Sequence, residues 1–443
     1  MKITFCGGVE RVTGSSFLIE KNNKKILVDC GMIQGSRQSE LENYEPFNFQ
    51  ANEIEAVFVS HAHVDHTGRL PQLFNRGFKG YVYSTLATKE AGIEVLKDAL
   101  KIELEEAKRN LREKFFSEDD LNNLIDHWQT VNYHEPVNQA GFEVEFFDAG
   151  HIIGSSFIKV DDIVFSGDLG NKPNFFLNQT EPLPNVDYLA LESTYGDRNH
   201  EDSAKRKDIL EDVLEQVTKE RGVLIIPAFA LERTQEILFD IEDLIENKKV
   251  PDLPIFFDSP LAIRLTEVYK RLPEFLSPKA RVEIAKENIF DLANIHKIYS
   301  VEETRKVEAA AAPKIIIAGS GMIQGGRVLH HLRRYLGDPK TIVLFVGYQT
   351  EDSLGRKILE GTKEVEIEGE KIAVNARISE LLSYSSHMDQ KEILDWLRPR
   401  RFNLKKVFLS HGDKKAKDVL SFKIRDELGL DVEIPKTGQI VEL

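Results

Sequence analysis

The segment Ser60-His61-Ala62-His63-Val64-Asp65-His66 constrains this chain more than any other. It follows Ile54-Glu55-Ala56-Val57-Phe58-Val59, an apolar, β-branched run that predicts a buried strand, so three imidazoles and a carboxylate crowd onto the loop at its end. Packed side by side with nothing between them, these groups repel one another or go unpaired. Neutral imidazole with carboxylate is the donor set of zinc or a similar divalent ion. The H-x-H-x-D-H spacing sends ligands to two sides of one turn, as a site for two metals requires. A loop whose histidines are simply solvated is the alternative, and it leaves their density unexplained.

A chain of 443 residues exceeds one ordinary core and is expected to form two or three domains. Hydrophobic residues at 41% and charged residues at 30% describe a soluble globular protein. No run approaches the roughly 18 apolar residues of a membrane span. Residues 1–8 read as a short strand and a turn rather than a secretory signal, so the expected location is the cytoplasm, with no membrane partner. Cys6 and Cys30 are too few for a disulfide framework and suit a reducing compartment; Cys30 reads as a small buried thiol rather than a ligand or nucleophile. A formal net charge of -15 argues against binding nucleic acid over the whole surface, though not against a local basic groove.

Along the chain, residues 13–19 and 25–31 read as adjacent strands, the second delivering Asp29 at its end. Asp29 reads either as a carboxylate holding the outer N–H of a metal-bound histidine or as a turn cap. A helix is expected from Thr67, then a longer one with Ile93, Leu96, Leu100, Leu104, Ala107 and Leu111 on one face and a solvated charged face opposite. His127 and His134 are read as structural. Residues 142–147 alternate and lead into Asp148-Ala149-Gly150-His151. Residues 163–165 are expected as their hairpin partner, leading into Ser166-Gly167-Asp168. Singly, His151 and Asp168 read as loop residues; together, each just after a strand as His61 is, they can gather at one sheet edge.

A buried strand at 188–191 leads into Glu192-Ser193-Thr194-Tyr195-Gly196-Asp197, after which helix and strand patterns alternate as in parallel βα units. Residues 319–327 form a glycine-rich turn opening a helix. Its backbone N–H groups favour an anion and Arg327 can fork onto phosphate, but a tight strand-to-helix turn needs the same glycines. Residues 364–378 read as a hairpin. His387 stands at the start of an amphipathic helix, and His411 follows a strand at 406–409.

These residues resemble the metallo-β-lactamase fold, in its β-CASP nuclease branch, over nearly the whole chain. Asp29 matches the family's first motif; His61, His63, Asp65 and His66 match its signature; His151 and Asp168 match the histidine and aspartate that follow. Glu192 in E-S-T-Y-G, His387 before a helix and His411 after a strand match the three motifs of the branch. Residues 227–230, 319–327 and 347–356 are also similar to RNA-processing members, and histidine at 411 is the pattern of the RNA-directed ones. Glu232 stands where many relatives carry glycine before Arg233.

The resemblance implies an α/β fold, an αββα sandwich of residues 1–197 and 386–443 with an inserted parallel βα domain over 198–385. It implies one zinc on His61, His63 and His151, another on Asp65, His66 and His411, and Asp168 bridging; manganese or another divalent metal is the alternative to zinc. Asp29 then supports the ligands. Asp65, Glu192 and His387 carry the chemistry: hydroxide held by the metals attacks a phosphodiester of single-stranded RNA while His387, oriented by Glu192, acts as general acid. Arg233, Ser320, Gly321, Gly325, Gly326 and Arg327 are the expected substrate contacts. A homodimer is an open option. Two competing readings are a hydrolase of small esters or DNA ends on the same fold, and a catalytically silent RNA-binding scaffold.

Overall fold

The structure is a computed structural model, and it describes every residue except 111–112, 173–174, 202–204, 287–289, 291 and 350–352. Leu111 of the expected helix face and Thr350, Glu351 and Asp352 of the resembling segment therefore lie outside the described residues. The chain divides into two compact units, Met1–Asn199 with His387–Leu443, and His200–Ser386.

In the first unit, strands Lys2–Gly7, Ser16–Lys21 and Lys24–Val28 pair antiparallel in sequence order. The hairpin between the last two turns on Asn22 and Asn23, both left-handed with φ of 52° and 61°, the conformation a two-residue turn matched to strand twist demands. Strands Ile54–Phe58, Tyr81–Ser84 and Trp128–Thr130 extend the sheet in parallel, and Ile440–Glu442 closes its other edge against Lys2–Gly7. The second sheet runs Val137–Gln139, Phe142–Asp148, Ser156–Val160 and Ile163–Phe165 antiparallel, then Tyr188–Leu191, Lys406–Leu409 and Val432–Glu433 in parallel.

One expectation is corrected here. The hairpin partner of Phe142–Asp148 is Ser156–Val160, not residues 163–165, which pair with Ser156–Val160 instead. Ser156, Phe157 and Ile158 are buried in succession, so this strand lacks the alternation that marks a half-exposed one.

Among the described residues, three cores stack across the unit. Phe5, Phe17, Ile26 and Phe58 of the first sheet meet Val144, Phe146, Ile158, Phe165 and Phe408 of the second between the sheets. On the outer faces, Leu27, Val57 and Val82 pack against helical Leu73, Leu96, Leu100 and Leu124, and Phe157, Val164 and Val407 against helical Ile393, Leu397, Leu420 and Ile424. Each such fully buried side chain contributes roughly 1.5–3 kcal/mol. This is the αββα sandwich that the resemblance implies.

The second unit holds a six-stranded parallel sheet in the order Ile295–Lys297, Ile255–Asp258, Lys314–Ala318, Val223–Pro227, Ile342–Phe345, Arg377–Glu380. The expected hairpin occupies only Glu364–Ile367 and Glu370–Ala373; Arg377–Glu380 leaves it to join the large sheet. Among the described residues, no helix is long and apolar enough to cross a membrane.

Candidate metal centre

The chemistry-bearing side chains of the first unit stand at the ends of its strands. Past Ile54–Phe58 the chain leaves regular structure through Ser60 and His61. The expected helix from Thr67 is in fact two, and a single turn, Val64–Thr67, carries Asp65 and His66. Gly31 lies so close beneath that turn that a Cβ would collide with the Asp65 carbonyl. His151 sits in a turn tied by Asp148, whose Oδ1 accepts the Gly150 N–H at 2.9 Å, and by Ser155, whose hydroxyl accepts the His151 N–H at 3.0 Å. Asp29 and His411 have left-handed backbones, φ 57° and 49°, a conformation that costs free energy and persists where the surroundings impose it. The His411 N–H is held by the Gly8 carbonyl at 2.6 Å.

These turns bring two groups of ligand atoms together. His61 Nε2 lies 3.0 Å from His63 Nδ1, which lies 3.3 Å from His151 Nε2; Asp168 Oδ2 stands 3.3 Å from the first and 3.5 Å from the last. Opposite, His66 Nε2 lies 3.3 Å from His411 Nε2, itself 3.3 Å from Asp65 Oδ2, with Asp168 Oδ1 3.4 Å from His66 Nε2. Asp168 therefore turns one oxygen to each group. A tetrahedral zinc with bonds of about 2.0–2.1 Å sets its ligands about 3.3 Å apart, so both groups have the spacing of ligands around an ion. His61, His66, His151, Asp168 and His411 are all under 4% exposed, and Asp168 Oδ1 is buried without a hydrogen bond.

The electrostatics ask for a cation at the same place. Burial, and a second histidine beside each, hold His61 below and His151 well below the ordinary imidazole range, which keeps them neutral as ligands must be. Burial acts the same way on His66 and His411, but Asp168 with Asp29 outweighs it at His66, and Asp168 with Asp65 at His411, raising both. Asp168 is held well below the ordinary carboxylate range because the surrounding histidines overcome its burial. The donor set fits divalent metal.

Around the candidate ligands, Asp29 Oδ2 takes the His66 Nδ1 side at 2.7 Å and the Ser60 hydroxyl at 2.8 Å, contacts that can hold a histidine by its outer ring nitrogen. Glu192 Oε1 accepts the Leu169 N–H at 2.7 Å, and Oε2 lies 3.1 Å from His387 Nδ1. His387 also stands 4.0 Å from Asp168 Oδ2. Cys30 is buried, its thiol pushed up to about 12 by that burial. His127 and His134 lie outside the cluster, engaged by the Asn123 carbonyl and by Glu181. Sequence reasoning assigned no role to Ser60, Asp148 or Ser155, although Ser60 adjoins the signature.

The expected substrate contacts belong to the second unit. Ser320 braces its own turn, its hydroxyl donating to the Gly325 carbonyl and accepting the Gln324 N–H. Gly321 packs on the Phe229 ring, Gly326 turns with φ 74°, and Arg233 is buried with its guanidinium 4.6 Å from the Phe229 centroid. Arg327 does not present a fork to the turn. Its Nη1 donates to Asp258 Oδ1 at 2.5 Å and the Ile298 carbonyl at 3.1 Å, and its Nη2 to the Tyr299 carbonyl at 2.9 Å. Asp258 is fully buried and also takes His331 Nε2 at 2.8 Å, a pairing that sequence reasoning missed.

Known proteins carry the same organisation. The β-CASP domain matches residues 234–358, the Zn-dependent metallo-hydrolase RNA specificity domain residues 371–435, and the Anti-Pycsar protein Apyc1 family residues 1–186. Ribonuclease TTHA0252 of Thermus thermophilus is 35% identical over 446 residues, 99% of either chain. Transcription termination factor FttA of Methanosarcina mazei is 30% identical over 461 residues, covering 100% of this chain and 72% of that one. A crystal structure of a protein of unknown function from Enterococcus faecalis V583 shares the fold, with a TM-score of 0.56 at 12% identity over 100% of this chain and 99% of that one. This chain belongs to the metal-dependent β-CASP ribonuclease branch of the metallo-β-lactamase superfamily.

Proposed function

We propose that this protein is a zinc-dependent ribonuclease that hydrolyses phosphodiester bonds of single-stranded RNA. The observation that carries the reading is the pair of ligand groups at zinc spacing joined by Asp168. His61, His63 and His151 would hold one ion, Asp65, His66 and His411 the other, with Asp168 between. A bound pair of divalent ions supplies a nucleophile at neutral pH by lowering the pKa of a water, and offsets the charge gathering on the phosphate. RNA as the substrate class is supported by the ribonuclease and termination-factor relatives and by the RNA specificity domain match.

The chain's own groups then divide the work. Asp29 fixes the His66 ring, and Asp65 brings its Oδ2 to 3.3 Å from His411 Nε2, where both can reach one ion. Glu192 engages His387 Nδ1 and orients the ring, and His387 would deliver a proton to the departing oxygen. A positioned general acid of this kind contributes roughly 10²–10⁴ in rate. Purified protein is incubated with single-stranded RNA labelled at either end, with and without a 5′ monophosphate. The expected result is zinc-dependent cleavage that His63→Ala abolishes while the fold survives. Full activity of that variant, or turnover of a chromogenic ester with RNA left intact, overturns the reading.

A further inference from the structure

We infer that Ser60 is a positioning residue that couples the two metal subsites by fixing, through one hydroxyl, the tautomer of a histidine in each. The inference rests on the two-metal reading above. His61 directs Nε2 into the first ligand group, 3.0 Å from His63 Nδ1, and leaves its Nδ1 3.0 Å from Ser60 Oγ. His66 directs Nε2 into the second group, 3.3 Å from His411 Nε2, and leaves its Nδ1 2.7 Å from Asp29 Oδ2 and 3.3 Å from Ser60 Oγ. A ligating Nε2 presents a lone pair, so in a neutral ring the hydrogen sits on Nδ1. Both rings are fully buried, so both hydrogens need acceptors inside the protein.

The donor count then has one solution. Asp29 is an acceptor only: Oδ1 takes the Ser60 N–H at 2.7 Å, and Oδ2 takes the Ser60 hydroxyl at 2.8 Å together with the His66 Nδ1–H. Having given its single hydrogen to Asp29, Ser60 Oγ offers lone pairs, and His61 Nδ1–H is the donor that faces them. The chain runs His61 to Ser60 to Asp29 and meets His66 there. Ser60 is fully buried, so no bulk water takes over this function. Asp29 alone orients only His66; the hydroxyl extends that control to the other subsite. Alanine at 60 leaves the His61 hydrogen without an acceptor and removes a donor from Asp29, loosening both groups at once.

The test uses the full-length protein and zinc itself. In uniformly ¹⁵N-labelled, zinc-loaded wild type, long-range ¹H–¹⁵N spectra should show His61 and His66 as Nδ1–H tautomers with slowly exchanging ring protons. An Nε2–H tautomer for His61 overturns the inference without any variant. In competition with a chromogenic chelator, Ser60→Ala should weaken both zinc equivalents by about 10–100-fold, the usual effect of losing an outer-shell partner. Ser60→Thr, which keeps the hydroxyl, should restore the Nδ1–H signal and bind within a few-fold of wild type. Weakening of one equivalent alone, or of neither, rejects coupling through Ser60. A wild type that takes up fewer than two equivalents rejects the two-metal reading beneath it.

Discussion

Glu192 Oε2 lies 3.1 Å from His387 Nδ1, and the two side chains reach each other across 195 positions of sequence from separate strand and helix ends. Glu192 is 1% exposed and His387 8%, so this pair is shielded from the solvent that screens surface charges. The same carboxylate holds the Leu169 N–H, beside Asp168, which sets the histidine's position relative to the ligand groups. His387→Ala should lower single-turnover RNA cleavage by about 10²–10⁴ with zinc content unchanged. Glu192→Gln, which keeps the shape but loses the charge opposing an imidazolium, should lose less. Metal analysis checks both; loss of zinc from His387→Ala would make His387 a ligand.

Arg327 tests a different assignment. Among the described residues, its guanidinium joins His331 and Thr304 as partners of the fully buried Asp258. Burial alone would push the Asp258 carboxyl up, and His331 and Arg327 together bring it below the ordinary range. Removing one partner of a buried pair leaves an uncompensated charge and costs roughly 3 kcal/mol. Arg327→Met should therefore destabilise the second unit by about that amount in urea, with a smaller loss for Arg327→Lys. Unchanged stability with weakened RNA binding would return the guanidinium to the substrate.

How far sequence reasoning reached follows from where each signal resides. His61, His63, Asp65, His66, His151, Asp168 and His411 each stand just past an apolar strand or in the turn that follows, a local pattern, and the structure brings them together. Ser156–Val160 was hidden because burial on both faces erases alternation. The Asp258 partner of the Arg327 guanidinium was hidden for another reason: it lies 69 positions away, and only folding of the parallel sheet places its carboxylate beneath that helix start. A glycine-rich turn looks the same in sequence whether it cradles an anion or simply reverses the chain.

Asp148 supplies a pH prediction. Burial pushes its carboxyl up to about 6, against the lowering pull of the Gly150 N–H and the Asn178 amide. The folded chain thus keeps a proton that the unfolded chain, with a carboxyl near 4, has already lost. Its contribution to stability is fully present below about pH 4 and is lost as pH rises through about 6. Asp148→Asn, which mimics the protonated form, should flatten this decline and gain up to about 3 kcal/mol over wild type at pH 7.5. Urea unfolding of the two metal-free proteins at pH 4.5, 6 and 7.5 reads the difference; a gap that does not widen with pH rejects it.

Asp168 gives the sharpest contrast among the ligands. Its Oδ2 stands 3.3 Å from His61 Nε2 and its Oδ1 3.4 Å from His66 Nε2, so one carboxylate reaches both groups, whereas His63 Nδ1 meets His61 Nε2 at 3.0 Å and His151 Nε2 at 3.3 Å. Asparagine at 168 keeps the volume but replaces one oxygen with an amide nitrogen that cannot ligate, and removes a negative charge from among several imidazoles. Metal affinity should then fall for both equivalents. His63→Ala should weaken one equivalent strongly and leave the other within about tenfold, because Asp65, His66, His411 and Asp168 stay in place. Zinc per chain, measured by mass spectrometry across a chelator series, separates the cases: two sequential losses for His63→Ala and one joint loss for Asp168→Asn. Two tightly held ions in Asp168→Asn would show that the groups do not share this carboxylate.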